Sequence, residues 1–230
     1  MPLYLKRTMM IGTILLHAGL IITAYLLGSI SNAVWVGNVL HKTDVRKHGS
    51  KNAGATNVLR ILGWKAALPV FILDMTKGAA AVLLVFVAGY IPETNPFVGF
   101  QIVLGLTAMI GHIFPIFASF KGGKGVATIA GVITAIHPSA MLITFLLFAL
   151  ALLITHYVSL SSIIAACCFP FLVIVVFGNW LNVEETLTLK IFSIAAAAII
   201  LVTHRKNIRR LHKGEETKIV FRKKPSIDIG

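Results

Sequence analysis

Residues 139–156 read Ser-Ala-Met-Leu-Ile-Thr-Phe-Leu-Leu-Phe-Ala-Leu-Ala-Leu-Leu-Ile-Thr-His, a run of eighteen positions without one charged side chain. A helix that crosses the hydrocarbon core of a bilayer needs about 20 predominantly apolar residues. Six further apolar segments flank this stretch. The seven predicted segments are 9–40, 65–90, 97–118, 125–137, 139–156, 160–178 and 187–204. The pattern predicts an all-α, polytopic helical membrane protein with about seven transmembrane helices, or with five full spans and shorter pieces.

The composition indicates a chain that is largely covered by lipid. Of 230 residues, 57% are hydrophobic and 13% are charged, whereas a soluble protein carries about 25% charged residues. Too few polar side chains remain to cover a water-exposed surface. In a soluble protein the net charge of +13 would suggest nucleic acid. Here the basic residues lie between apolar segments and at the C-terminus, so we expect contact with membrane lipid and no nucleic acid.

Basic residues are distributed unevenly between the two sides of the predicted bundle. The segments 41–65, 119–125 and 205–230 hold six, two and nine Lys and Arg residues, seventeen in all, and the opposite side holds three. The side richer in Lys and Arg is the cytoplasmic one. We therefore predict one domain over 1–230, with the N-terminus outside and a basic cytoplasmic tail over 205–230. The acidic residues Glu93, Glu184 and Glu185 fall in the predicted outer loops.

The first segment with candidate chemistry, 44–60, reads Asp-Val-Arg-Lys-His-Gly-Ser-Lys-Asn-Ala-Gly-Ala-Thr-Asn-Val-Leu-Arg. Its glycines permit close approach of backbone to a ligand, and arginine binds phosphate oxygens in a forked geometry. A solvated cytoplasmic loop is the alternative, but such a loop does not require this combination of hydroxyls, amides and glycines. The candidate ligand-binding residues are Arg46, Ser50, Asn52, Gly54, Thr56, Asn57 and Arg60.

The second such segment, 111–128, reads Gly-His-Ile-Phe-Pro-Ile-Phe-Ala-Ser-Phe-Lys-Gly-Gly-Lys-Gly-Val-Ala-Thr. Its glycine-lysine turn lies between two helices, where backbone N–H groups and the next helix dipole can bind an anion. It is not a Walker A loop, because Ala118 stands where the first glycine is required and Gly125 where Ser or Thr is required. The candidate phosphate-binding residues are His112, Lys121, Gly122, Gly123, Lys124 and Gly125.

Two charged side chains, Asp74 and Lys77, lie one helical turn apart inside the second predicted span. Charges within a span are candidates for function, and an ion pair that only holds two helices together is an equally good interpretation. The chain lacks His-x4-Asp, Gly-x-Ser-x-Gly and His-Glu-x-x-His patterns. An enzyme of this kind has few acid–base groups and many phosphate ligands, which suits anionic, already activated substrates.

Several motifs together resemble those of the bacterial PlsY family of membrane acyltransferases. They are Gly28-Ser29-Ile30, the run 49–60, the run 111–128 and a tail motif with His204, Asn207, Ile208, Arg210, Leu211, Gly214 and Glu216. The match extends from about Gly28 to Lys218. Lys51 departs from it, because the family pattern leads us to expect glycine between the serine and the asparagine.

The resemblance implies a multi-pass enzyme of the bacterial inner membrane that transfers a fatty acyl group from acyl phosphate to sn-glycerol 3-phosphate. The products are 1-acyl-glycerol 3-phosphate and phosphate, in the first acylation of phospholipid synthesis. It also implies seven helices and a cytoplasm-facing site, with no metal and no cofactor, and we expect a monomer. The implied catalytic residues are Ser50, Lys124, His204 and Asn207. Beyond the two loops, the implied substrate-binding residues are Ser162, Arg210 and Glu216.

Two other functions fit parts of the sequence. A transporter of a phosphorylated anion would require polar groups that reach the midplane from both sides, and the predicted outer loops are short. A non-catalytic lipid-binding scaffold would not require glycine-lysine turns. Within the enzyme hypothesis, the proton acceptor is His112, His204 or a phosphate oxygen of the substrate, and we favour the phosphate oxygen.

Overall fold

The structure, a computed structural model, describes residues 2–181 and 186–219. Glu184, Glu185 and residues 220–230 of the predicted tail lie outside these ranges. Within the described ranges all regular secondary structure is helical. The α-helices there are α1 (Leu3–Ser29), α2 (Asn32–His41), α3 (Ala55–Leu62), α4 (Trp64–Leu83), α5 (Asn95–Ile113), α6 (Val126–Ile136), α7 (Pro138–Thr155), α8 (Val158–Phe171), α9 (Leu187–Thr203) and α10 (Arg205–His212).

Each predicted apolar segment is helical, but their lengths differ. Five helices of the described chain, some extended by a following 3₁₀ or π segment, are long and apolar enough to cross a membrane. A sixth span results if α9 and α10, which are bent by 61° at His204, are taken together. The helix α6 has only 11 residues, as its short apolar segment predicts. The integral membrane fold is confirmed, whereas the count of about seven crossings stays a prediction.

The first predicted segment, 9–40, is divided into two helices. The helix α1 ends at Ser29 and α2 begins at Asn32. The carbonyl oxygen of Ile30 accepts a hydrogen bond from Lys77 Nζ at 2.6 Å, and Asn32 Nδ2 donates to Asp74 Oδ1 at 2.9 Å. Contacts with α4 therefore stabilise the break, and they give the freed backbone oxygen a partner, as a polar backbone group inside a membrane requires.

Small residues let the central helices approach closely. A side-chain carbon added at Gly78 of α4 would overlap the carbonyl oxygen of Thr128 in α6, and one at Gly131 would overlap that of Met75. Close backbone approach through glycine is a common mode of helix association in membranes. This contact places the N-terminus of α6 directly beside α4.

Long-range hydrogen bonds gather the polar segments at one end of the bundle. Arg46 Nη1 donates to the Ala118 carbonyl at 2.8 Å, which joins the first loop to the turn after α5. The Ile219 amide donates to the His156 carbonyl at 2.8 Å, which joins the tail to the α7–α8 turn. Arg60 Nη2 donates to the Thr217 carbonyl at 3.2 Å, and Lys124 Nζ donates to Asn207 Oδ1 at 2.6 Å, which joins the tail to both loops. The described parts of the three segments predicted to share one side thus lie together. Which side of the membrane they face stays a prediction.

Candidate active site

The loop before α3 is organised around the buried amide of Asn57, which is 1% exposed. Its Oδ1 accepts hydrogen bonds from the Ser50 amide at 2.8 Å and from Ser50 Oγ at 3.1 Å. Its Nδ2 donates to the carbonyls of Val45 at 2.7 Å and His48 at 3.2 Å. Asn57, a predicted ligand-binding residue, therefore uses its polar groups to position the Ser50 hydroxyl.

Two residues of this loop have left-handed backbone conformations. Gly49 has φ of 57°, and a side-chain carbon there would lie 2.5 Å from Asn57 Oδ1, so only glycine fits. Lys51 has φ of 58° and is exposed. Glycine adopts this conformation at no steric cost, which explains why the family pattern led us to expect glycine at this position.

Arg46, a predicted phosphate-binding residue, is engaged in holding the loop. Its guanidinium group forms an ion pair with Asp44 at 2.9 Å and donates to the Ala118 carbonyl at 2.8 Å. The pKa of Asp44 is lowered, chiefly because Arg46 donates hydrogen bonds to its carboxylate. Arg46 does not line the cavity described below.

The glycine-lysine turn caps the C-terminus of α5. The amides of Gly122 and Gly123 donate to the carbonyls of Ile113 at 3.2 Å and His112 at 3.1 Å. These two amides are therefore not available as anion donors, contrary to the interpretation of the turn as a complete backbone anion site. The open N-terminus of α6 remains, because it has no side-chain cap and its first residues, Val126 and Ala127, line the cavity.

Lys124 begins a chain of polar contacts that crosses to the tail. Its Nζ donates to Asn207 Oδ1 at 2.6 Å, and Asn207 Nδ2 donates to Glu216 Oε1 at 2.8 Å. Glu216 also accepts hydrogen bonds from Ser159 Oγ at 2.9 Å and from Arg210 Nε at 2.7 Å. Glu216 is thereby the anchor of the tail, and Lys124 and Asn207 have fixed positions in the cavity wall.

The electrostatics of this chain of contacts favour a charged Glu216 and a readily neutralised Lys124. Burial raises the pKa of Glu216, but hydrogen bonds from Asn207, Arg210 and Ser159 outweigh it and the net pKa is lowered. Burial lowers the pKa of Lys124 to about 8, opposed by Glu216 and reinforced by Arg210 and Arg60. An anion beside Lys124 would favour its ammonium form.

These elements enclose a cavity of about 400 Å³ at the polar end of the bundle. Most predicted site residues line it: Ser50, Asn52, Gly54, Thr56, Asn57, Arg60, His112, Lys124, Gly125, Ser162, His204, Asn207 and Glu216. The predicted residues that do not line it are Arg46, Lys121, Gly122, Gly123 and Arg210. Of these, Lys121 is exposed, while Gly122, Gly123 and Arg210 support lining residues.

His204 lies at the bend between α9 and α10 and is 2% exposed. Its Nδ1 lies 2.8 Å from the Ile200 carbonyl, to which it can only donate. In the neutral imidazole this leaves Nε2 as the acceptor nitrogen. His204 is therefore the histidine of the cavity whose hydrogen bonding fits a proton acceptor.

An apolar groove adjoins the cavity, and the sequence did not reveal it. It lies between α4, α6, α7, α8 and α9 and shares Phe71, Val126, Phe148 and Ser162 with the cavity. Its remaining lining consists of alanine, isoleucine, methionine, phenylalanine and threonine side chains. These residues look like ordinary membrane-helix residues in the sequence, since only the packing shows that small side chains on three helices leave a common groove.

Asp74 and Ser159 also line the cavity and were not among the predicted site residues. Asp74 forms a 2.9 Å ion pair with Lys77, as their spacing indicated. Ser159 lies in the first turn of α8 and donates a hydrogen bond to Glu216. The sequence contained a signal for each residue: Asp74 is a charge within a predicted span, and Ser159 belongs to a run of serine hydroxyls. Neither signal shows which residue the side chain contacts.

Comparisons with known proteins agree with this geometry. A family model described as "Glycerol-3-phosphate acyltransferase" matches residues 18–214. The glycerol-3-phosphate acyltransferase of Chlorobaculum parvum is 42% identical over 224 residues, which cover 88% of this chain and 96% of the relative. That of Chlorobium phaeobacteroides strain BS1 is 40% identical over 222 residues, covering 86% of this chain and 94% of the relative.

The fold is similar to that of a solved membrane enzyme. A crystal structure of PlsY, an integral membrane glycerol 3-phosphate acyltransferase, in its glycerol 3-phosphate form has a TM-score of 0.77 and 36% identity. The similarity covers 89% of this chain and 96% of that chain. The lysophosphatidic acid form has a TM-score of 0.74 and 34% identity over the same shares. The matched residues include every segment that contributes to the cavity up to Gly214, and the chain belongs to the glycerol-3-phosphate acyltransferase family.

Proposed function

We propose that this integral membrane protein transfers a fatty acyl group from acyl phosphate to sn-glycerol 3-phosphate. The products are 1-acyl-glycerol 3-phosphate and inorganic phosphate. The acceptor follows from the family and from the glycerol 3-phosphate and lysophosphatidic acid forms of PlsY. The acyl phosphate donor is what the resemblance to the PlsY family implies, and the lack of a His-x4-Asp pattern supports it. In this proposal residues 1–230 form one acyltransferase domain that acts as a monomer, with the cavity facing the cytoplasm.

The observation that carries the proposal is that a polar cavity and an apolar groove adjoin one another and share lining residues. The polar cavity presents Ser50, Arg60 and Lys124 together with the open N-terminus of α6, all suited to phosphate oxygens. The adjoining groove is apolar and suits an acyl chain. Trp64 and Leu68 line the cavity and are 62% and 49% exposed, so apolar side chains border its opening, as entry of a substrate from the membrane requires. A substrate with a phosphate head and a hydrocarbon chain fits across both.

The chemistry requires little from the protein, because acyl phosphate is already activated. The primary hydroxyl oxygen of glycerol 3-phosphate attacks the acyl carbonyl carbon, a new C–O bond forms, and the bond from that carbon to the phosphate oxygen breaks. The phosphate departs with the electron pair. The site contributes by holding both substrates in reacting geometry and by neutralising the departing phosphate. Lys124 and the α6 N-terminus are the groups placed for this role.

The hydroxyl proton must also leave. In our proposal it passes to the departing phosphate, which gains a basic oxygen as its bond to the acyl carbon breaks. His204 Nε2 is the protein group with matching geometry, since its Nδ1 is held by the Ile200 carbonyl. His112 is less suitable, because its Nε2 lies against Gly123. Replacement of His204 by Gln separates the two routes, since the phosphate route predicts measurable residual turnover.

A product assay tests the donor and the reaction together. Purified protein in detergent is incubated with radiolabelled glycerol 3-phosphate and either acyl phosphate or acyl-CoA. We expect labelled lysophosphatidic acid from acyl phosphate alone. Equal turnover of acyl-CoA would contradict the proposed donor. If protein reconstituted into lipid vesicles took up the labelled glycerol 3-phosphate without forming lipid product, that result would support the transporter instead.

A lysine substitution tests the phosphate site. We expect Lys124→Ala to reduce kcat/KM about ten- to hundredfold, because a charge-assisted hydrogen bond contributes about 1.5–3 kcal/mol. The matched control is Lys65→Ala, since Lys65 is exposed at the start of α4 and should leave the rate within about twofold. Size-exclusion chromatography verifies that both variants are monodisperse. Wild-type turnover by well-folded Lys124→Ala would remove this residue from the site.

A further inference from the structure

A buried polar cluster lies behind the cavity, where α4 meets the break between α1 and α2. Asp74 Oδ1 accepts from Asn32 Nδ2 at 2.9 Å and pairs with Lys77 Nζ at 2.9 Å. Lys77 Nζ also donates to the Ile30 carbonyl at 2.6 Å. Asp74 is 1% exposed and Lys77 is 6% exposed. Both charges are thus withdrawn from lipid and from water.

Holding two helices together does not account for every feature of this cluster. Charged groups inside a membrane are costly, and apolar contacts or glycine packing join helices without them. In addition, Asp74 lines the cavity, although Lys77 does not. The carboxylate is thus the member of the ion pair that reaches the site.

The side chain next to Asp74 on the cavity wall is His112, which is 6% exposed. His112 Nδ1 lies 3.7 Å from Asp74 Oδ1, and within the described residues this buried nitrogen has no hydrogen-bond partner. A separation of 3.7 Å is too long for a hydrogen bond, so the carboxylate lies close to the Nδ1 edge of the ring without being bonded to it. In a buried site, a carboxylate favours the ring orientation that keeps the Nδ1 edge towards it.

The opposite edge of the His112 ring supports the glycine-lysine turn. A side-chain carbon at Gly123 would overlap His112 Nε2 and would lie 2.8 Å from the Ala53 carbonyl. The turn is thus packed between the imidazole and the first loop, with no space for a methyl group. Lys124, the next residue, points from this turn to Asn207. A tilt of the His112 ring would displace the backbone from which Lys124 extends.

We propose that Asp74 is a positioning residue of the acyl transfer, acting through His112 on the turn that presents Lys124. The inference rests on the proposed function, because it assigns Lys124 to the phosphate group of a substrate. Asp74 touches neither substrate in this scheme. Its carboxylate orients the His112 imidazole, and the imidazole packs against Gly123 and fixes the position of the turn. The turn then directs the Lys124 ammonium group into the cavity.

The first test compares Asp74→Asn with a control on the same helix. Asparagine keeps the size of the side chain and its contact with Asn32 but removes the charge. We expect kcat/KM for glycerol 3-phosphate to fall at least tenfold. Thr76→Val is the matched control, because Thr76 is exposed on α4 and bonds only its own helix at the Ile72 carbonyl. It should stay within about twofold of the wild type.

Asp74→Asn leaves Lys77 without its carboxylate, so a folding defect is a foreseeable complication. The double variant Asp74→Asn/Lys77→Met removes both charges and keeps the volume of the pair. If the single variant is not monodisperse, the double variant carries the same expectation of a tenfold loss. Activity within threefold of the wild type in either well-folded protein would overturn the proposal.

A double-mutant cycle separates positioning from a general structural role. If Asp74 acts through His112, then once His112→Ala has removed the ring, adding Asp74→Asn should change kcat/KM by less than threefold. Independent roles predict that the two losses multiply, and that result would refute the proposal. The proposed function fails separately: in that case the wild-type enzyme itself forms no product from acyl phosphate and glycerol 3-phosphate. The double-mutant cycle tests only the role of Asp74.

Discussion

At the scale of single residues, Lys51 occupies a backbone conformation that side chains avoid. Its φ of 58° costs an L-residue about 1–2 kcal/mol, and glycine has no such cost. We therefore predict that Lys51→Gly stabilises the folded protein by roughly 0.5–1 kcal/mol, after allowance for the greater freedom of glycine in the unfolded chain. The thermal midpoint of purified protein in detergent should rise by a few degrees.

The control for Lys51 is a lysine of the same loop with an ordinary backbone. Lys47 is exposed and ends a short 3₁₀ segment, Val45–Lys47. Lys47→Gly should lower the thermal midpoint, since glycine only adds freedom to the unfolded chain there. A fall in the midpoint of Lys51→Gly similar to that of Lys47→Gly would show that the left-handed conformation at Lys51 carries no strain.

Lys124 gives the site a dependence on pH. Burial lowers its pKa to about 8, although Glu216 opposes the shift. The ammonium form is therefore present below pH 8 and is lost as the pH rises through that value. Because kcat/KM reports the free enzyme, we predict that kcat/KM for glycerol 3-phosphate declines above about pH 8, towards a tenfold loss per pH unit.

Replacement of Lys124 by arginine tests whether Lys124 is the group whose titration causes the fall in kcat/KM at alkaline pH. The guanidinium group stays protonated throughout the accessible range, so Lys124→Arg should lose the alkaline decline even if its rate is lower. Initial rates between pH 6 and 10, measured at low glycerol 3-phosphate, make the comparison. An alkaline decline that is unchanged in Lys124→Arg would assign the titration to another group.

Residue types predicted which residues line the cavity better than they predicted what each side chain contacts. Ser50, Asn57 and Arg46 come from one polar loop and all qualify as phosphate ligands by chemistry. Only the folded backbone shows that Asn57 positions Ser50 and that Arg46 holds Ala118. Both assignments depend on partners that are close in space, and Ala118 is 72 positions away along the chain. No local pattern contains that information.

At the scale of secondary-structure elements, apolar length predicted the long membrane helices. It did not predict α3 and α10, which lie in segments that the sequence suggested were a polar loop and a basic tail. The N-termini of α7 and α9 are capped by the residue that precedes each helix. His137 Nδ1 accepts a hydrogen bond from the Ala140 amide, and Thr186 Oγ1 accepts one from the Leu189 amide. The break at Ile30 did not follow from local rules. The segment 9–40 is apolar enough to continue as one helix, and contacts with Asp74 and Lys77 of α4 support the interruption.

The groove leads to a prediction about acyl-chain length. Along α8 it extends from Ser162 to Phe169, which is about 10 Å at 1.5 Å per residue, or about eight methylene groups. Beyond it Val173 is fully buried in the core. Each buried methylene contributes about 0.8 kcal/mol. We predict that kcat/KM increases with chain length up to about eight to ten carbons and then levels off.

Blocking the groove should shorten this range. Ala165 lines it and is 7% exposed, so Ala165→Leu should bring the plateau to shorter chains. Cys167→Leu is the control, because Cys167 is on the same helix but exposed. Acyl phosphates of 6 to 18 carbons supply the series. A rate that continues to increase through the longest chains, or an equal effect of the two leucines, would contradict the proposed path of the chain.

At the scale of the whole molecule, the site is assembled from segments that are distant in sequence. Ser50 and Lys124 come from two separate connections, Asn207 comes from α10, and all three line one cavity. The uneven distribution of Lys and Arg predicted that these connections share a side, because that rule concerns the whole bundle. Their contacts could not be predicted, since they depend on how the α4–α6 and α1–α5 helix pairs approach one another.

The uneven charge also predicts which way the molecule faces. Seventeen Lys and Arg residues fall in the three segments predicted to share a side, and three fall in the segments predicted to lie opposite. The cavity is formed by the described parts of the first three segments, so its end should be cytoplasmic. We predict that a cysteine at Lys213, after α10, is inaccessible to an impermeant maleimide in intact cells and reacts after permeabilisation. A cysteine at Glu93, exposed in the loop before α5, should react without permeabilisation. The background is a variant with Cys167 and Cys168 replaced by alanine. Labelling of the Lys213 position in intact cells would place the site outside, where a cytoplasmic acyl donor could not reach it.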